Sequence, residues 1–290
     1  MRALWASPQA RLGLVLLGLM LLVAFAGPFF VGEPDEFVGR PLLPPSGEFW
    51  LGTTGQGQDV LAQTVVGARS TLGLGLLVGA AVVATGALIG GLAGFLGGRT
   101  DELLSFGINV SLVLPGLPLM VVLAAFLPAG PASMAAVLIV TGWAWNARVV
   151  RAQVLALRRQ DFVDAAVVAG EHPLRILAVE ILPNMASLLG GALIGATTYA
   201  IGAQVGLEFL GLGDLSVVTW GTNLYWATND SALLTGAWWT FVPTGACIAL
   251  TGFALALISF GLDSLTNPAL AVSGGTGVPG PQPTPVRRRA

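Results

Sequence analysis

An all-α, polytopic membrane protein with about six transmembrane helices is the fold class the sequence predicts, and three observations carry it. Charged residues make up only 10% of the 290 positions, against 54% hydrophobic, and the mean hydropathy is +0.81. A soluble domain carries about 25% charged residues, so this composition cannot clothe a water-facing surface. The stretches 70–96, 103–147 and 181–207 hold no Asp, Glu, Lys or Arg, and a helix needs roughly 20 apolar residues to cross the hydrocarbon core. None of these stretches alternates, which sets aside the ~10-residue alternating strands of a membrane barrel.

The spans follow in order. Residues 12–31 form the first, and a polar segment rich in Pro and Gly, 32–69, comes next. The second covers 70–96, after which Arg99-Thr100-Asp101-Glu102 is expected to turn the chain. The third, 103–127, stops at Pro128-Ala129-Gly130-Pro131, a strong helix breaker. The fourth, 132–156, leads into a charged segment, 158–180; the fifth covers 181–207 and the sixth 237–262. The chain therefore divides into 1–31, an N-terminal segment with the first span; 32–69, an extracytoplasmic segment; 70–270, a core of five spans with the loop 158–183; and 271–290, a tail. That tail is expected to be disordered and cytoplasmic, since it has no apolar face to bury. Ala24-Phe25-Ala26 has the form of a signal cleavage site, but the apolar run before it exceeds the usual ~7–15 residues and suits a retained anchor.

Arginine sets the orientation, because basic residues near membrane ends stay in the cytoplasm. All 13 basic residues are Arg; with six spans, eleven fall on one side and only Arg40 and Arg69 on the other. Both termini are expected in the cytoplasm of a multi-pass cell-membrane protein. The second span carries Gly75, Gly79, Gly86, Gly90, Gly94 and Gly98, the last four spaced by four. Such a face lets another helix approach closely, and packing within the chain is the expected use.

Several function classes fall away. Without a lysine there is no G-x-x-x-x-G-K-[ST] loop, so ATP is not bound by that route. One cysteine, Cys247, excludes a disulfide framework or a cysteine metal cluster. His172 is the sole histidine, so H-E-x-x-H is impossible, and its place in a charged loop is wrong for an intramembrane Ser–His pair. A secondary transporter or channel stays as the alternative reading, though such a protein would place paired ionisable groups inside the membrane and Glu180, Glu208 and Asp263 fall at the expected helix ends. Nucleic acid is not an expected partner; the lipid bilayer is.

The charged segment between the fourth and fifth spans reads as two short helices. Asp164-Ala165-Ala166 suits a helix start, since an acid is favourable in the first turn; Gly170 suits its stop, where φ > 0 is permitted. Pro173 suits the first turn of a second helix over Leu174 to about Glu180. The result is a compact knob.

Asp164, Ala165, Ala166, Gly170 six residues after the acid, and Leu182-Pro183 twelve after that glycine resemble the EAA loop of ABC importer permeases, in its dipeptide, oligopeptide and nickel branch. Leu51-Gly52-Thr53 with Asp59-Val60-Leu61 and Gly67-Ala68-Arg69, then Phe209-Leu210-Gly211-Leu212-Gly213, then Thr219-Trp220-Gly221 are similar to further motifs of that family in the same order. Asp164 stands for the usual Glu, Thr54 and Gln58 for an Asp and an Arg, and Gln204 for a frequent acid, with Glu208 one helical turn on.

The resemblance implies a transport subunit without chemistry of its own. It implies a homologous second permease, two ATPase subunits that bind ATP and Mg, and an extracytoplasmic substrate-binding protein. Asp164, Ala165, Ala166, Gly170, His172, Pro173 and Leu174 would then couple to an ATPase. Asn109, Ser111, Thr197, Thr198, Tyr199, Gln204 and Glu208 are candidates to face the pathway, each with hydrogen bonding between helices as the competing role.

Overall fold

The computed structural model describes residues 7–266, so the expectation for the tail 271–290 lies outside the described residues. Among the described residues the chain is helical, with no strand. Ser7 caps α1 (Pro8–Ala26), accepting from the Ala10 N–H at 3.4 Å, and a 3₁₀ turn, Gly27–Phe29, extends it. α2 (Val60–Leu96) begins ten residues earlier than expected. Asp59 explains the early start: its carboxylate accepts from Leu61 N–H at 2.9 Å and caps the helix.

The expected turn at 99–102 is instead the opening of α3 (Gly98–Val113), and the reversal is made by Gly97 and Gly98, at φ +69° and +55°. A continuous third span, 103–127, is corrected too. It breaks into α3 and α4 (Gly116–Phe126), bent 88° at the junction. Pro115 is the cause: it forces Leu114 into an extended conformation at ψ 134° and offers no N–H to continue the helix. α5 (Pro131–Leu157) follows.

α6 (Asp161–Val168), α7 (Pro173–Arg175) and α8 (Leu182–Asn184) make the knob, with a π-helical stretch, Ile176–Ile181, between the last two. α9 (Ala186–Phe209) crosses back, and α10 (Trp220–Asn229) and α11 (Ala232–Thr235) build a cap with segment 30–59. α12 (Val242–Thr266) is the last span. Among the described residues five helices are long and apolar enough to cross a membrane, or six with the bent α3–α4 pair as one.

α2 is the central post. A Cβ on Gly86 would lie 2.7 Å from Asn146 Cβ of α5, and one on Gly94 2.9 Å from the Arg151 carbonyl. Gly90 lies against Ala147 and Gly79 against Thr197 of α9. The glycine face thus packs inside the chain, with one correction: Gly98 meets nothing and takes no part. In a lipid environment such close backbone approach supplies the packing energy that water expulsion supplies elsewhere. At the opposite edge α1 lies along α12, where a Cβ on Gly13 would meet the Ala254 carbonyl at 2.7 Å. Ala24 of the cleavage-like triplet is fully buried there, in the cluster with Ala68, Leu72 and Leu255.

Candidate functional site

The structure gathers the predicted residues at two places, the knob and the opposite end of α9. In the knob, α6 starts at Asp161, three residues before the expected start, so both Asp161 and Asp164 sit in its first turn. Val163 is 1% exposed and anchors α6 among Phe95, Val154, Ile176 and Ile181; Ala166 packs against the same cluster. Asp164 and Ala165 are exposed.

Gly170 ends α6 at φ +79°. Its N–H donates to the Val167 carbonyl (3.0 Å), and the Glu171 N–H to that of Ala166 (3.2 Å), the paired bonds of a Schellman stop. Glu171 and Arg175 form an ion pair. His172 caps α7, its Nδ1 accepting from Leu174 N–H at 3.3 Å, and Pro173 takes the first helical position. The second helix of the knob does not stop near Glu180 as expected. It runs on through the π stretch to Asn184, because Pro183 cannot donate to the Val179 carbonyl and the wider turns relieve its ring's clash there. Asn184 Nδ2 donates to the Glu180 carbonyl at 2.6 Å. The knob presents apolar side chains outward: Val168 is 89% exposed and Leu174 51%.

At the other end of α9, Glu208 lies in the last turn, the helix end expected for it, and is buried there at 5% exposure. Gln204 Nε2 donates to Glu208 Oε1 at 3.0 Å, and the Thr219 hydroxyl donates to Oε2 at 2.6 Å. A Cβ on Gly213 would lie 2.8 Å from Glu208 Cγ, and one on Gly221 2.5 Å from Oε2. The glycines that close F-L-G-L-G and T-W-G therefore meet around one carboxylate. Gln204, Glu208, Gly213 and Thr219 line a pocket of about 40 Å³ that also includes Ser70, Met134, Asp214 and Val217. The Ser216 hydroxyl (2.6 Å) and N–H (3.0 Å) both donate to Asp214 and hold its carboxyl below the usual range.

The other pathway candidates are not brought there. Tyr199 Oη lies 3.0 Å from Thr141 Oγ1 and 3.3 Å from Met120 Sδ, a strut between α9, α5 and α4. Thr197 is buried against α2, and Thr198 donates to the Ile194 carbonyl of its own helix at 2.9 Å. Asn109 accepts from Arg148 Nη2 at 2.9 Å, and Ser111 is half-buried on the same α3.

The remaining motifs knit the cap to α2. Buried Trp220 donates its N–H to Thr71 Oγ1 (3.0 Å) and Nε1 to the Thr64 carbonyl (3.1 Å). Trp239 Nε1 donates to the Thr53 carbonyl at 3.2 Å. Thr54 and Gln58 do not pair through their side chains: the Gln58 backbone N–H donates to Thr54 Oγ1 at 3.1 Å, and the Gln58 side chain accepts from Gln63 Nε2 at 3.0 Å. Sequence reasoning missed two charged features. Arg151 of α5 holds Asp101 of α3 bidentately, at 2.5 and 2.7 Å, and Asp230 lies over Gly55 in the cap.

Comparison with known proteins gives these motifs a family. Residues 86–271 match the family described as binding-protein-dependent transport system inner membrane component. The dipeptide transport system permease protein DppC of Bacillus subtilis is 33% identical over 276 residues, 93% of this chain and 84% of that protein. The oligopeptide transport system permease protein OppC of the same organism is 33% identical over 272 residues, 91% and 87% of the two chains. OppC of Mycobacterium tuberculosis is 32% identical over 236 residues, 79% and 78%. A family match over residues 86–271 and relatives about a third identical over most of the chain show that the chain belongs to the family of inner-membrane permease components of binding-protein-dependent ABC importers.

Proposed function

We propose that this permease carries peptides inward, with the knob facing the cytoplasm and the Glu208 pocket facing out. The cargo is inferred from the relatives' names, dipeptide and oligopeptide transport permeases. The orientation is inferred from the arginines: among the described residues seven lie on the knob side against two on the cap side. In this reading both termini are cytoplasmic. A homologous second permease completes the pathway, two ATPase subunits bind ATP and Mg beneath it, and a binding protein docks on the cap. The chain itself performs no chemistry.

The observation that carries the reading is the knob. A Schellman-stopped helix is fixed to the spans through Val163, Ile176 and Ile181 while Val168 and Leu174 stay uncovered. Rigid attachment on one side and an apolar tip on the other suit a lever seated in a partner's groove. Closure of the ATPases would move the knob, and with it α5 and α9, whose ends it joins.

Co-expression with the partner subunits tests the reading. The chain should co-purify with ATPases, and proteoliposomes should take up a labelled tripeptide only with ATP and binding protein. Uptake by the permease without ATPases would identify a secondary transporter or channel instead.

A further inference from the structure

We propose that the pocket at the outer end of α9 is a recognition site for a cationic group, the ammonium of a transported peptide, read by Glu208 and Gln204. The inference rests on the importer reading and names the chemistry its pathway selects.

Two observations lead there independently. One is an orphan acceptor. Gln204 is 1% exposed, and donating Nε2 to Glu208 fixes which way its amide faces, because the amide oxygen turned toward a carboxylate would be repelled. Its Oε1 is then left buried with no hydrogen-bond partner among the described residues, on a residue that lines the pocket. A buried acceptor without a donor is unfavourable until something donates to it.

The other observation is the charge. The polar lining, Ser70, Gln204, Glu208, Asp214 and Thr219, includes two carboxylates and no basic side chain; the neighbouring Arg69 is exposed and not among the lining residues. Segments 30–59 and 210–241, which form the cap on this side of the spans, carry seven carboxylates and one arginine, and the second of them contributes Gly213, Asp214, Val217 and Thr219 to the lining. A surface of that sign raises the local concentration of cations.

The chemistry of the occupant follows from what is left unsatisfied. Glu208 accepts one hydrogen bond on each oxygen and retains further lone pairs, and Gln204 Oε1 retains all of its own. An ammonium brings several N–H donors and one positive charge, matching both deficits. A hydroxyl would satisfy the amide oxygen and leave the carboxylate unpaired in a buried place. The volume, about 40 Å³, admits an ammonium group or a few waters, and not a whole peptide. The site therefore reads an end of the cargo, with the remainder lying outside it.

The competing role for Glu208 is mechanical, a wedge between Gly213 and Gly221. A charge swap separates the two. Three transporters are reconstituted with their partner subunits and binding protein: wild type, Glu208→Gln, and the double variant Gln204→Glu/Glu208→Gln. Co-purification of all subunits is checked first. Uptake of a tripeptide with a free amino terminus is then measured in sodium and in choline chloride, with and without methylammonium.

Glu208→Gln keeps the shape, so a wedge role predicts wild-type uptake. The cation site predicts a loss of about tenfold or more, as expected when a charge-assisted contact is removed. The swap returns one carboxylate to the pocket and should recover uptake to within about threefold of wild type, since the same contact is restored. Methylammonium should inhibit wild type and leave the residual uptake of Glu208→Gln unchanged.

Full uptake in Glu208→Gln, an assembled swap that does not recover, or wild type indifferent to methylammonium each overturns the proposal. If the swap does not assemble, the methylammonium comparison decides. Wild-type uptake that collapses in choline and returns with sodium would assign the pocket to an inorganic cation and overturn the ammonium assignment. Wild type that shows no ATP-dependent uptake would instead remove the importer reading itself.

Discussion

Gly221 leaves Glu208 its place: a Cβ at 221 would lie 2.5 Å from both the Cβ and Oε2 of that glutamate and 3.0 Å from the Val205 carbonyl. The Glu208 Cβ cannot swing aside as the end of a flexible chain could. Gly221→Ala should therefore push α10 away from α9 and break the Thr219 contact. The expected loss is about 1–3 kcal/mol, the usual cost of overpacking. Thermal unfolding of the purified permease complex checks this; an unchanged midpoint would show that the cap yields without strain.

The bidentate pair Asp101–Arg151 ties the start of α3 to the last turns of α5. Both side chains are partly exposed, 21% and 32%, so solvent weakens the pair. A double-mutant cycle of Asp101→Asn and Arg151→Gln should give a coupling of about 1 kcal/mol. Arg151→Lys should lose part of it, since a lysine cannot grip both oxygens. A coupling near zero would make the pair incidental.

Asp230 gives a pH dependence. Its Oδ2 is buried without a hydrogen-bond partner, and burial pushes its carboxyl above the usual range. The folded cap thus binds a proton more tightly than the unfolded chain does. This group's contribution favours folding at low pH and is lost as pH rises from about 4 through the raised value. Asp230→Asn should flatten that dependence and leave the cap as stable or slightly more stable at neutral pH. Hydrogen exchange of segments 51–64 and 220–235 at several pH values provides the check, and an unaltered profile would contradict it.

Much of this architecture was legible in the sequence. The charge-free runs placed the spans, because no soluble surface can be built from them. The two-helix knob and its stop at Gly170 followed from turn chemistry that acts over a few residues. What escaped depended on partners distant in sequence. Pro115 breaks the third span by 88° inside an apolar run that reads as continuous. Glu208 does end α9, but its burial has no local signal, because the loop that covers it, through Thr219 and Gly221, lies 11 and 13 residues further on. The F-L-G-L-G and T-W-G motifs held that signal, but their glycines show a purpose only when the two loops are folded together. Of the pathway candidates, Tyr199 and Asn109 proved to be bonded across helices, and no local pattern distinguishes that role from cargo contact.

In the proposed function the knob converts ATP hydrolysis into transport, and substitution of Gly170 probes that coupling. A Cβ there would meet nothing within 4 Å among the described residues, so the backbone at φ +79° and whatever docks outside are what resist a side chain. Valine at that conformation is strained by about 1–2 kcal/mol, whereas asparagine visits it readily. The measurement is ATP hydrolysed and tripeptide imported in the same proteoliposomes for wild type, Gly170→Asn and Gly170→Val, each shown to retain its second permease. The account predicts that Gly170→Val loses most uptake and binding-protein-stimulated hydrolysis together, with Gly170→Asn falling between it and wild type. Wild-type hydrolysis and uptake with Gly170→Val would contradict it.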